Sequence, residues 1–136
     1  MAAPTAEIAM RWTRDLKFEG GAAERPAIVV DGDGEAATSP VQLLLLAAAT
    51  CTAADIVLIL KKQRVHLAAL DVAVRGTRRE TAPRRYTAIH FAWTVRGEGA
   101  DEMKVRRAVD LSIEKYCSVI ASLATDITIS YDVAIA

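Results

Sequence analysis

Residues 41–60, VQLLLLAAATCTAADIVLIL, hold no glycine or proline and only two strongly polar side chains, Gln42 and Asp55. No breaker follows before residue 64, so one helix of about 25 residues and about 37 Å is predicted. Its start is marked by Ser39 as N-cap, Pro40 at the first helical position, and Gln42 placed to complete a capping box. The sequence KKQR at 61–64 sets cations at the negative end of the helix dipole. A helix so apolar on nearly every side must be surrounded by protein. One small sheet covers one face, so a second copy of the chain is expected to cover the other.

Length and apolarity alone also permit a bilayer span. Asp55 opposes it at about 3 kcal/mol near a span centre, and lipid has no preference for so alanine-rich a stretch. The flanking segments read as amphipathic strands, so no membrane partner is expected.

Upstream, residues 7–18 alternate imperfectly and read as one strand or two short ones; Gly20 and Gly21 punctuate them. A short apolar strand, AIVV at 27–30, ends at the turn DGDG. Together they make an antiparallel meander. Downstream, residues 67–80 and 84–97 form a hairpin joined by TAP at 81–83. In its second strand Thr87, Ile89, Phe91, Trp93 and Val95 form the inner face, opposite Tyr86, Ala88, His90, Ala92 and Thr94. Asp101 caps a second helix running to about Tyr116, with Val105, Val109, Ser112 and Tyr116 on one stripe. CSVIASLA adds a further helical turn or two, and residues 126–135 close the chain as a strand. The order β-β-β-α-β-β-α-β, with a long central helix, is an α+β fold in one domain spanning 1–136.

Seventeen basic residues balance seventeen acidic ones, so no electrostatic footprint for nucleic acid exists at this level. The start, MAAPTAEIAMRW, lacks a basic region leading into an apolar one, so no secretory signal is read and a cytoplasmic location is expected. Two cysteines there are expected to be reduced, catalytic or redox-active; the plainer reading is two inert buried thiols.

Cys51 lies mid-helix among small residues, Ala47, Ala48, Thr50, Thr52 and Ala54, which leave space a substrate could occupy. If a helix restarts at YCSV, Cys117 faces free N–H groups that favour its thiolate. Two thiols on separate helices point to a redox couple. Asp55 shares the face of Cys51, and a bare carboxylate there is expensive. An arginine could pair with it, from Arg11, Arg14 or Arg25 upstream or Arg78, Arg79, Arg84 or Arg85 near the hairpin. Alternatively Asp55 lies at a solvated edge or receives a backbone N–H. His66, His90 and the cysteines show no metal-ligand spacing, so no metal site is expected. The basic run RGTRRETAPRR reads as a solvated hairpin end.

The segments SPVQLLLLAAATCTAADIVLIL and AVDLSIEKYCSVIASLATDITISYDV together resemble the OsmC/Ohr family, the osmotically inducible and organic-hydroperoxide-resistance proteins. The resemblance spans nearly the whole chain. It implies an intertwined homodimer with a thiol peroxidase site at the subunit interface. Cys51 would attack a small organic hydroperoxide, Cys117 would resolve the sulfenic acid as a disulfide, and an external dithiol reductant would restore both. No bound cofactor is implied. Where the family carries a glutamate after the helix-starting proline, this chain has Val41 and then Gln42, and its upstream loop lacks the partner arginine. The activating pair is then absent or rebuilt, with Asp55 as one member. Val41, Gln42 and Ala48 are the positions where substrate is expected. The alternative is a non-catalytic or redox-sensing homodimer of the same fold that binds a small apolar ligand.

Overall fold

The computed structural model describes residues 3–136, which divide into two compact units, one ending at Leu44 and the other running Leu45–Ala136. The fold is α+β.

In the first unit, β1 (Ala9–Arg14), β2 (Lys17–Gly21) and β3 (Ile28–Asp31) form an antiparallel sheet in that order. Residues 7–18 are thus two strands turning between Arg14 and Lys17. Gly20 and Gly21 end β2 rather than interrupt it, because they still pair with β1. A Cβ at Gly20 would come within 2.6 Å of the Met10 Cβ, so only glycine fits opposite β1. Beyond β3 the loop winds around Asp31, whose residue is 1% exposed. Its carboxylate accepts the N–H groups of Ala36 at 2.9 Å and Asp33 at 3.1 Å, with Lys17 Nζ at 3.9 Å.

Those bonds, from Ala36 above all, hold the Asp31 carboxyl below its ordinary value of 3.8. A depressed folded-state pKa stabilises the fold at pH values above the unfolded value and ceases to do so as pH falls through the folded one. Asp31→Asn is therefore expected to be less stable than wild type in urea near pH 7, and the gap is expected to close as the pH is lowered through the folded-state value of Asp31. A gap that stays constant with pH would show that charge on Asp31 is irrelevant.

Helix α1 (Pro40–Lys62) begins as its caps require: Ser39 Oγ accepts the Gln42 N–H at 3.2 Å, and Gln42 Oε1 accepts the Ser39 N–H at 3.0 Å. Within the second unit, Ala48, Thr52, Ile56 and Leu60 recur every fourth residue as its buried stripe. Cover stops there. Leu46, Val57 and Leu58 are 51%, 42% and 60% exposed on a single chain. The helix is long and apolar enough to cross a membrane by length and composition, but its buried stripe packs into a protein core.

The second sheet is β4 (His66–Arg78), β5 (Tyr86–Glu98) and β6 (Thr128–Ile135), with β4 antiparallel and β6 parallel to the central β5. A parallel neighbour requires a crossover, supplied by α2 (Glu102–Leu111), a π-helical turn (Ser112–Tyr116) and α3 (Ser118–Ala121). Asp101 caps α2 through the Lys104 N–H at 2.8 Å. On β5, Ile89, Phe91, Trp93 and Val95 are buried as their alternation predicts. Tyr86 joins them, against expectation. Arg78 pairs with Tyr86 and Thr77 with Ala88, so Thr87 is an extra residue that reverses the alternation before it. The Tyr86 ring then lies over Gly76, where a Cβ would overlap it.

The basic hairpin end is tied to itself. Arg78, Arg79 and Arg84 donate to the carbonyls of Arg84, Pro83 and Glu80, and Arg85 pairs with Asp126 at 2.6 Å. His90 lies on the outer sheet face, bridging Ser130 and Asp132 at 2.7 and 3.1 Å.

Candidate functional site

Two hydrogen bonds stitch α1 to the crossover, and both involve polar side chains on otherwise apolar stripes. Ser112 Oγ donates to Asp55 Oδ2 at 2.7 Å, and Thr52 Oγ1 donates to Cys117 Sγ at 3.5 Å. Thr52 and Ser112 are both fully buried. Buried hydroxyls need partners, and each finds one on the facing element.

The π turn explains how Cys117 reaches this seam. In an uninterrupted α-helix, Cys117 would point about 140° away from Ser112 around the axis. Instead the Cys117 N–H bonds the Ser112 carbonyl at 2.7 Å, five residues back. That wider turn brings Cys117 back over Ser112, on the side facing α1. The stripe predicted for the second helix therefore ends at Ser112, and Tyr116 is 56% exposed.

Both cysteines are free. Cys51 is half-buried at mid-helix and Cys117 is 3% exposed; the hydroxyl of Thr52, next to Cys51 in the chain, reaches Cys117, which brings the two thiols into one neighbourhood. Cys117 is the N-cap of α3, its sulfur accepting the Ile120 N–H at 3.4 Å. The expected restart of the helix at this cysteine is present, but not the expected net preference for thiolate. Burial pushes the Cys117 thiol up; the Thr52 hydroxyl and the Ile120 N–H pull it down, and Cys51 pushes it further up. The upward causes win.

Asp55 is half-buried and is held by a serine, not by an arginine. Among the described residues, no arginine forms a hydrogen bond or ion pair with Asp55 or either cysteine. A neutral hydroxyl suffices because Asp55 keeps partial contact with solvent, so a full counter-charge is not required.

The remaining expected positions are spread along α1. Val41 and Gln42 lie in its first turn, within the first unit. Gln42 is engaged in the capping box, so its amide oxygen serves the helix start. Ala48 is fully buried, one turn before Cys51 on the packed stripe. Among the described residues no group of three or more His, Cys, Asp or Glu side chains is placed to hold a metal ion. Sequence reasoning does not single out Thr52 or Ser112 as site residues, although a polar side chain on a buried stripe is itself a signal.

The OsmC-like protein family model matches residues 32–132, a span containing both thiols and the two hydrogen bonds that join α1 to the crossover. The chain belongs to the OsmC-like family. This OsmC-like protein is 42% identical over 127 residues to protein YhfA of Escherichia coli K12, covering 91% of this chain and 95% of that protein. Its fold is similar to the OsmC-like protein of Mycoplasma pneumoniae, with TM-score 0.83 at 16% identity, covering 98% of this chain and 99% of that one. It is also similar in fold to the organic hydroperoxide resistance protein OhrB of Bacillus subtilis. There the TM-score is 0.63 at 16% identity, covering 98% of this chain and 100% of that one. At equal identity, the backbone follows the OsmC-like form more closely than the OhrB form.

Proposed function

We propose that this OsmC-like protein reduces small organic hydroperoxides with the Cys51–Cys117 pair, using an external dithiol as reductant and no bound cofactor. Membership of the family supports a redox, hydroperoxide-related role. The observation that carries the reading is the approach of two free thiols from separate elements: Thr52, next to Cys51 on α1, donates to Cys117, which also accepts the Ile120 N–H.

The roles follow from exposure. Cys51, the more accessible thiol, attacks the terminal oxygen of ROOH as thiolate. The S–O bond forms as O–O breaks, and the departing alkoxide takes a proton to leave as ROH. Cys51 is then a sulfenic acid. Buried Cys117 attacks its sulfur; the S–S bond forms, S–O breaks, and hydroxide leaves with the Cys117 proton as water. A dithiol reduces the disulfide by two exchange steps and is itself oxidised to a disulfide. A thioredoxin-type dithiol of a reducing cytoplasm fits that last step.

The working form in this reading is a homodimer. Leu46, Val57 and Leu58 on α1, and Ile8, Met10 and Trp12 at 71%, 61% and 65% exposure around β1, are large apolar side chains left exposed on a single chain, the kind of surface a second copy would cover. The other arrangement of function, a binding protein without turnover, draws on an apolar groove of about 470 Å³ in the first unit, lined by Ile8, Met10, Phe18, Ile28 and Leu43. Consumption of cumene or tert-butyl hydroperoxide with dithiothreitol separates the two. Protein-dependent consumption is expected; a rate equal to buffer with dithiothreitol would leave the binding reading.

A further inference from the structure

We infer that Thr52 is a positioning residue for the resolving thiol: its hydroxyl, by donating to Cys117 Sγ, stabilises the thiolate that closes the disulfide. This deepens the hydroperoxide reading and rests on it for the catalytic arm only.

Two threonines on α1 behave differently. Thr50 bonds back to the Leu46 carbonyl at 2.9 Å, the ordinary habit of a helical threonine. Thr52, two residues on, directs its hydroxyl across to Cys117 at 3.5 Å instead. It is fully buried, so no water can replace that partner. On the other side the Ile120 N–H reaches the same sulfur at 3.4 Å. The two donors come from different elements and converge on one atom. Thiolate sulfur accepts such bonds more strongly than thiol sulfur, so both act on the ionised form. Burial alone would leave Cys117 protonated and slow to attack. The other ionisable groups at this seam are Cys51, next to Thr52 on α1, and Asp55, held by Ser112 one turn along α1.

Thr52→Val keeps the shape and removes the donor; Thr52→Ser keeps the donor and serves as rescue. In reduced full-length protein labelled with [13Cβ]cysteine, the Cys117 resonance is followed against pH by NMR. Its midpoint is expected to move upward in Thr52→Val and to stay with wild type in Thr52→Ser. After one equivalent of cumene hydroperoxide, disulfide formation is expected to slow about fivefold in Thr52→Val, the factor that one net hydrogen bond is worth. Dimedone-trapped Cys51 sulfenic acid should rise correspondingly. An unmoved Cys117 midpoint in Thr52→Val overturns the role of Thr52, whatever the peroxide does. A moved midpoint in a protein whose wild type forms no Cys51–Cys117 disulfide with cumene hydroperoxide upholds Thr52 and overturns the hydroperoxide reading.

Discussion

Cys51→Ser is expected to lower hydroperoxide turnover by about 100-fold or more, because the remaining thiol, Cys117, is buried away from peroxide. Cys117→Ser is expected to behave differently. Its Cys51 still attacks the first equivalent of peroxide, but the sulfenic acid then has no internal partner. Without reductant, that variant should consume one hydroperoxide per chain and yield a dimedone adduct at Cys51, measured by intact mass. Wild type treated identically should consume one equivalent and give no adduct, since Cys117 closes the disulfide first. The asymmetry arises from burial: Cys117 is 3% exposed, so peroxide in solution reaches the half-buried Cys51 first. Equal loss of the first turnover in both variants would mean that the roles are reversed or shared.

Phe91→Ala is expected to destabilise the fold by about 3–5 kcal/mol, the range for emptying a large aromatic site. Phe91 is fully buried on the inner face of β5, and its ring stacks on Trp93 with centroids 5.9 Å apart and planes 9° from parallel. Removing it opens a cavity and strips one face of the Trp93 ring. Trp93→Phe should cost less. Among the described residues the Trp93 Nε1–H has no acceptor, so that change loses volume but also removes a buried unpaired donor. Urea unfolding measures both: the midpoint of Phe91→Ala should fall well below that of Trp93→Phe, with similar slopes. Equal midpoints would contradict this account of the core.

Features set by neighbouring residues are legible in the sequence itself. Ser39 and Gln42 announce the start of α1 because a capping box is a local bond pattern, and Asp101 announces α2 in the same way. The alternation from Ile89 to Val95 identifies an inner face because a regular strand keeps period two. The misplacement of Tyr86 comes from one extra residue at Thr87, which leaves no mark in composition. Similarly, Cys117 is visible as a thiol near a helix joint, but its turn toward α1 depends on a π turn, and that widening has no signature in SIEKY. The Ser112 partner of Asp55 depends on which faces of two helices meet, a tertiary fact. Sequence reasoning looks for an arginine there because charge seeks charge. The carboxylate is instead met by a hydroxyl already at hand.

The central claim is that α1 and the π turn hold Cys51 and Cys117 as neighbours able to join. Peptide mapping of the reduced protein after one equivalent of cumene hydroperoxide tests it most directly. The account predicts a single new species, a disulfide linking the Cys51 and Cys117 peptides of the same chain, reversed by dithiothreitol. Recovery of Cys51 oxidised to sulfinic acid with Cys117 still a free thiol would contradict it.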